Sequence, residues 1–113
     1  MKQIILIIVL LVTSGASYAI GEVKSFTVNN VRVDKSGYGF IKFNQMLEGT
    51  PAACISGHEY HLSFDLNKPG GKGVLSLALS AQATGKPIVA NGTGTCDEYG
   101  VVESWNYGWI VGE

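Results

Sequence analysis

The run His58-Glu59-Tyr60-His61 is the first place where this chain could do chemistry. A metalloprotease helix sets two histidines four apart on one face, with a glutamate between them as general base. Here the spacing is three and the run opens a strand, so the two side chains are expected on opposite faces and no metal site is expected. Gly70-Gly71-Lys72-Gly73 invites comparison with a phosphate loop. That loop needs a glycine five positions before the Gly-Lys pair and Ser or Thr after the lysine. This chain has Leu66 and Gly73 there. A helix start can hold an anion weakly, but these glycines read better as a tight entry and close packing. Asp97, Glu98 and Glu103 form an acidic cluster, yet proximity in sequence does not make a hydrolase's carboxylate pair. No Gly-x-Ser-x-Gly elbow accompanies the serines. No catalytic residue, metal or cofactor is implied, and the chain is read as a non-enzyme.

The most suggestive side chains are Trp105, Tyr107 and Trp109. Spaced by two in a strand, they share one face. One reading is core or a subunit contact, since aromatics bury large area. The other is an exposed platform for sugar rings or another ligand. The sequence leaves both open.

These residues need elements to position them. Glu22 to Val33 is a long strand candidate in which Phe26 and Val28 share a parity that Val31 and Val33 reverse. A one-residue bulge at Asn29-Asn30 would restore the inward face and bend the strand. Asp34-Lys35-Ser36-Gly37 is a turn, Tyr38 to Met46 a second strand, and Glu48 to Cys54 a loop. In the third strand Tyr60, Leu62, Phe64 and Leu66 alternate with His61 and Ser63, which puts the first set inside and the second outside. Pro69 then opens a helix over 69–84, with Gly85 as its cap and Pro87 beyond. Its small residues, Gly73, Ser76, Ala78, Ser80 and Ala81, suit close packing on the domain itself or on another copy. Strands from Pro87 to Asn91 and from Val101 to Val111 complete the chain. Three strands, a helix and two strands predict a mainly β fold, a five-stranded OB-fold-like barrel with the helix between the third and fourth strands. An open antiparallel sheet with the helix on one face is the alternative.

Residues 1–19 read as a cleavable export signal. Lys2 is followed by the apolar run Ile4 to Val12 and a small, polar stretch ending in Ser17-Tyr18-Ala19. The run is too short to span a bilayer, which takes roughly 20 apolar residues. Residues 20–113 then form one domain. Without Lys2 the chain carries seven Lys and Arg against nine Asp and Glu. That balance offers no basic surface for nucleic acid. An even pair of cysteines, Cys54 and Cys96, in an exported chain reads as a disulfide. The expected location is secreted or periplasmic.

Cys54-Ile55, an alternating strand, and a helix running into Ala83-Thr84-Gly85-Lys86-Pro87-Ile88 resemble the B subunits of subtilase-type and pertussis-like toxins across residues 54–90. The chain also resembles small exported bacterial proteins without an established activity that share a Gly-Lys helix start, a Thr-Gly-Lys end and a Gly-Thr-Cys loop. The toxin resemblance implies an OB-fold, a homo-oligomeric ring and binding of cell-surface glycans. The first strand and the Trp-rich C-terminus depart from those subunits, and no binding residue carries over. The resulting expectation is an exported binding module for a glycan. The alternative is a secreted inhibitor or envelope protein-interaction domain acting through Trp105, Tyr107 and Trp109.

Overall fold

The computed structural model describes residues 19–112. Residues 1–18 of the segment read as an export signal lie outside the described residues. The fold is mainly β, with two antiparallel sheets and one helix: β1 (Gly21–Phe26), β2 (Val28–Val33), β3 (Tyr38–Phe43), β4 (Glu48–Gly49), β5 (His61–Asp65), α1 (Gly71–Thr84), β6 (Ile88–Gly92) and β7 (Trp105–Ile110). One sheet has the order β4-β1-β6-β7 and the other β2-β3-β5.

The segment read as one long strand is two, broken at Thr27. The bulge expected at Asn29-Asn30 is present, as the β2–β3 register shifts between Val28 and Asn30. A second irregularity falls at Ser25, which adopts a positive φ of 106° while the β1–β6 register shifts between Lys24 and Phe26. Each extra residue adds local twist. Together they swing the chain so that β1 pairs in one sheet and β2 in the other. The sheets also meet at a single parallel bridge, Ser63 to Ser104, where the Ser63 N–H donates to the Glu103 carbonyl at 2.8 Å. No continuous ladder closes them into a barrel among the described residues.

The 34–37 turn forms as expected: Gly37 N–H donates to the Asp34 carbonyl and Asp34 N–H to that of Tyr38. The core between the sheets is built from Val23, Phe26, Ile41, Phe43, Leu62, Phe64 and Ile88, with Ala78 and Ala81 of α1. The helix starts at Gly71, two residues later than read, and ends at Gly85, whose left-handed conformation returns its N–H to Ala81. It packs chiefly against β2 and also touches β5 and β7. Gly71 fits because a Cβ there would sit 1.9 Å from the Asp65 carbonyl oxygen. That close approach gives the Gly-Gly-Lys-Gly run a packing role.

The alternation in β5 holds for Leu62 and Phe64, both buried, and for Leu66, which packs against the core, but it fails at Tyr60 and Ser63. Tyr60 precedes the strand and is exposed. Ser63, expected outside, is fully buried. The segment from Cys96 to Ser104 crosses the outer side of β5, and Ser63 Oγ sits beneath it against Glu98 and the carbonyls of Val102 and Glu103.

Candidate functional site

The last strand carries the clearest candidate surface. In β7 Val89 faces Trp109 and Asn91 faces Tyr107, but Gly92 faces Trp105, so Asn106 is an extra residue. That bulge breaks the period of two that would have placed all three aromatics together. Trp105 turns inward and packs, half-buried, against the core. Gly108 makes room for it, since a Cβ there would meet the Trp105 indole at 2.8 Å. Tyr107 and Trp109 stay outside, 52% and 51% exposed. Their rings are near-parallel, 7° between planes with centroids 6.4 Å apart. The three aromatics therefore divide, one packed against the core and two on the surface.

The surface pair is held in place. Asn91 Nδ2 donates to the Tyr107 hydroxyl at 2.6 Å, fixing that ring from the neighbouring strand. The register continues across the sheet. Glu48 and Glu22 lie in the row of Asn91 and Tyr107, and Lys24 lies in the row of Val89 and Trp109. Lys24 and Glu22 form a 3.1 Å ion pair. The arrangement is two exposed rings on a paired strand, bordered by amide and charged groups. It can stack a flat apolar face and hydrogen-bond its rim.

A second cluster covers the outer side of β2-β3-β5. Phe40 meets the His61 ring edge-on at 4.8 Å, Tyr99 at 5.8 Å and the Arg32 guanidinium at 5.2 Å. Arg32 Nε donates to Asp34 Oδ1, and the Tyr99 hydroxyl donates to Asp34 Oδ2. The hydrogen bond from Arg32, and then that from Tyr99, lower the Asp34 carboxyl below its ordinary range. Burial, and then Asp34, push the Tyr99 hydroxyl up.

The two histidines are not on opposite faces. Their ring centroids are 4.9 Å apart. His58 lies in the turn before the strand, where its carbonyl accepts from the His61 N–H, so strand alternation does not govern it. His61 Nδ1 is buried without a hydrogen-bond partner. No group of three or more His, Cys, Asp or Glu that could hold a metal ion occurs among the described residues.

Burial first, then the charges of His58 and Lys42, hold the His61 pKa down at about 4, from an ordinary 6.5. The unfolded chain therefore takes up a proton on this residue at a higher pH than the folded chain does. The stability contributed by neutral His61 is present above about pH 6.5 and is lost as pH falls toward 4. The melting temperature of His61→Phe should accordingly fall less than that of the wild type between pH 7 and pH 4.5. Equal falls in the two proteins would contradict this assignment.

The acidic cluster separates by role. Glu98 Oε1 accepts from Ser63 Oγ at 2.8 Å and Ser104 Oγ at 2.7 Å. Glu103 is fully buried, 0% exposed. Its Oε2 accepts from the N–H of Gly21 at 2.8 Å and of Gly94 at 3.0 Å, and its Oε1 from the N–H of Ala52 at 2.9 Å. Gly21 and Gly92 are glycines for this reason, since a Cβ at either would strike the Glu103 side chain. Sequence reasoning missed Glu103 as a structural group. The faint signal was a glutamate inside an apolar stretch, Val101 to Val111. Cys54 and Cys96 are joined in a disulfide, with Cα atoms 6.2 Å apart.

No family model, no curated protein and no solved structure matches the chain.

Proposed function

We propose that this is an exported, non-enzymatic binding module that engages a glycan through Tyr107 and Trp109. The exposed, near-parallel ring pair carries this reading. Large aromatics left in water on a rigid strand give up burial that a core would use, and such patches commonly mark binding surfaces. Asn91 pre-sets the Tyr107 ring, which lowers the ordering cost of stacking. The resemblance to glycan-binding toxin B subunits points the same way and adds a ring of copies to the reading. An OB-fold-like barrel belongs to it too. The split first strand reaching both sheets, the Ser63–Ser104 bridge and the helix between β5 and β6 support that topology. Export is supported by the disulfide. No helix among the described residues is long and apolar enough to cross a membrane.

The position of β7 at the end of its sheet order favours the second reading, a protein-interaction domain. A strand at an edge can pair with another chain. One pair of measurements separates the two. Tyr107→Ala and Trp109→Ala should leave the melting temperature nearly unchanged, because neither ring fills the core. On a glycan array each should weaken binding by about 1–3 kcal/mol, taking the size known for a nucleobase stacked on one aromatic ring. An array on which the wild type binds no glycan would defeat the glycan reading and leave a protein partner.

A further inference from the structure

We propose that the cavity between the end of β5, the start of α1 and the inward-turned Trp105 is a second subsite that takes one neutral sugar ring. The inference rests on the glycan reading and adds a pocket distinct from the Tyr107–Trp109 surface. The cavity has a volume of about 230 Å³. That is below the several hundred Å³ of sites for drug-sized ligands, so it fits a single small ring.

Its walls divide in the way a sugar does. Trp105, Pro69 and Val74 supply apolar surface for the C–H face of a ring. Glu98, Lys68 and Asn106 supply polar groups for its rim. Glu98 is held for the task. Two buried serine hydroxyls fix Oε1, while among the described residues no donor reaches Oε2. A carboxylate oriented in this way can accept a sugar hydroxyl without losing its protein partners. Lys68 makes no ion pair among the described residues, which leaves its ammonium to donate to a ring oxygen.

Charge selects against an ion. Asp65 and Glu98 are carboxylates in the lining, and Lys68 is an ammonium. The start of α1, with no acidic residue in its first turn, adds partial positive charge. In so small a space any ionic ligand meets a group of its own sign. A hydroxyl can donate to one wall and accept from the other, so a neutral polyol satisfies both.

The test is a titration of ¹⁵N-labelled mature protein with the methyl glycosides of glucose, galactose, mannose and N-acetylglucosamine, and separately with acetate and methylammonium. At least one glycoside should saturably shift the Trp105 indole N–H and the amides of Gly70, Gly71 and Asn106. Glu98→Gln should weaken that glycoside about tenfold, the effect of one lost charge-assisted hydrogen bond. Because Glu98 also holds Ser63 and Ser104, Asn106→Ala serves as the second variant. Asn106 is exposed in the bulge, and its loss should weaken the same glycoside severalfold with the spectrum otherwise intact. Shifts with an ion and no glycoside would overturn the neutral-ring assignment. Glycoside shifts confined to Tyr107 and Trp109 would overturn the pocket and leave the proposed function standing. Pocket shifts without any at Tyr107 and Trp109 would uphold the pocket against that surface, and silence from every probe would overturn the pocket.

Discussion

Glu103→Ala should cost about 3–5 kcal/mol of stability, a large share of the 5–15 kcal/mol typical of a domain. The reason is the count of donors left behind. Three backbone N–H groups, from Gly21, Ala52 and Gly94, converge on this one buried side chain. Each buried donor left unpaired carries a penalty of about 1–3 kcal/mol, partly relieved where water can enter the vacated space. Glu103→Gln is the informative companion. Its amide oxygen can accept from Gly21 and Gly94, but its NH₂ then confronts the Ala52 N–H. It should fall between wild type and alanine, and urea unfolding of the three proteins would establish the order. An alanine variant with an unchanged midpoint would mean that the carboxylate is not the anchor described here.

Removal of the disulfide should have an effect of similar size. Cys54 and Cys96 are 42 residues apart. The chain-entropy model values closing such a loop at about 4 kcal/mol, through the unfolded state. The double variant Cys54→Ser/Cys96→Ser should therefore unfold at a markedly lower urea concentration. It should also show a larger dependence on denaturant, because its unfolded chain is more expanded. Mass spectrometry of the unreduced wild type should find no alkylatable thiol. Two free thiols, or a double variant as stable as the wild type, would refute this account.

What the sequence made legible was local. Parity alone located the bulge near Asn29, because Phe26 and Val28 disagree with Val31 and Val33. Gly85 announced the helix end through the left-handed conformation a cap requires. Composition sufficed for the 34–37 turn. The misreadings involve chain that arrives from far away, one residue that breaks a period, or a strand that starts late. Ser63 is buried because a segment some 35–40 residues later lies over it. Trp105 leaves the face of Tyr107 because Asn106 is extra, and polar Asn106 gave no parity conflict to reveal it. His58 meets His61 because the strand starts later than the alternation suggested. Glu103 depends on three donors scattered from residue 21 to residue 94, which no window along the chain could have assembled.

The placement of that glutamate bears on how the protein matures. Ala52 and Gly94, whose N–H groups share the carboxylate, each lie two residues before a cysteine of the bridge. Glu103 can therefore draw the two loops together while both thiols are still reduced. In that order of events the sulfurs would meet as an intramolecular pair at high effective concentration, and oxidation would follow assembly of the fold. Loss of the carboxylate would leave each thiol to meet its mate by diffusion of an open loop, in competition with thiols on neighbouring chains. Disulfide-linked dimers would then accumulate during oxidative folding of Glu103 variants, even though neither cysteine had been touched.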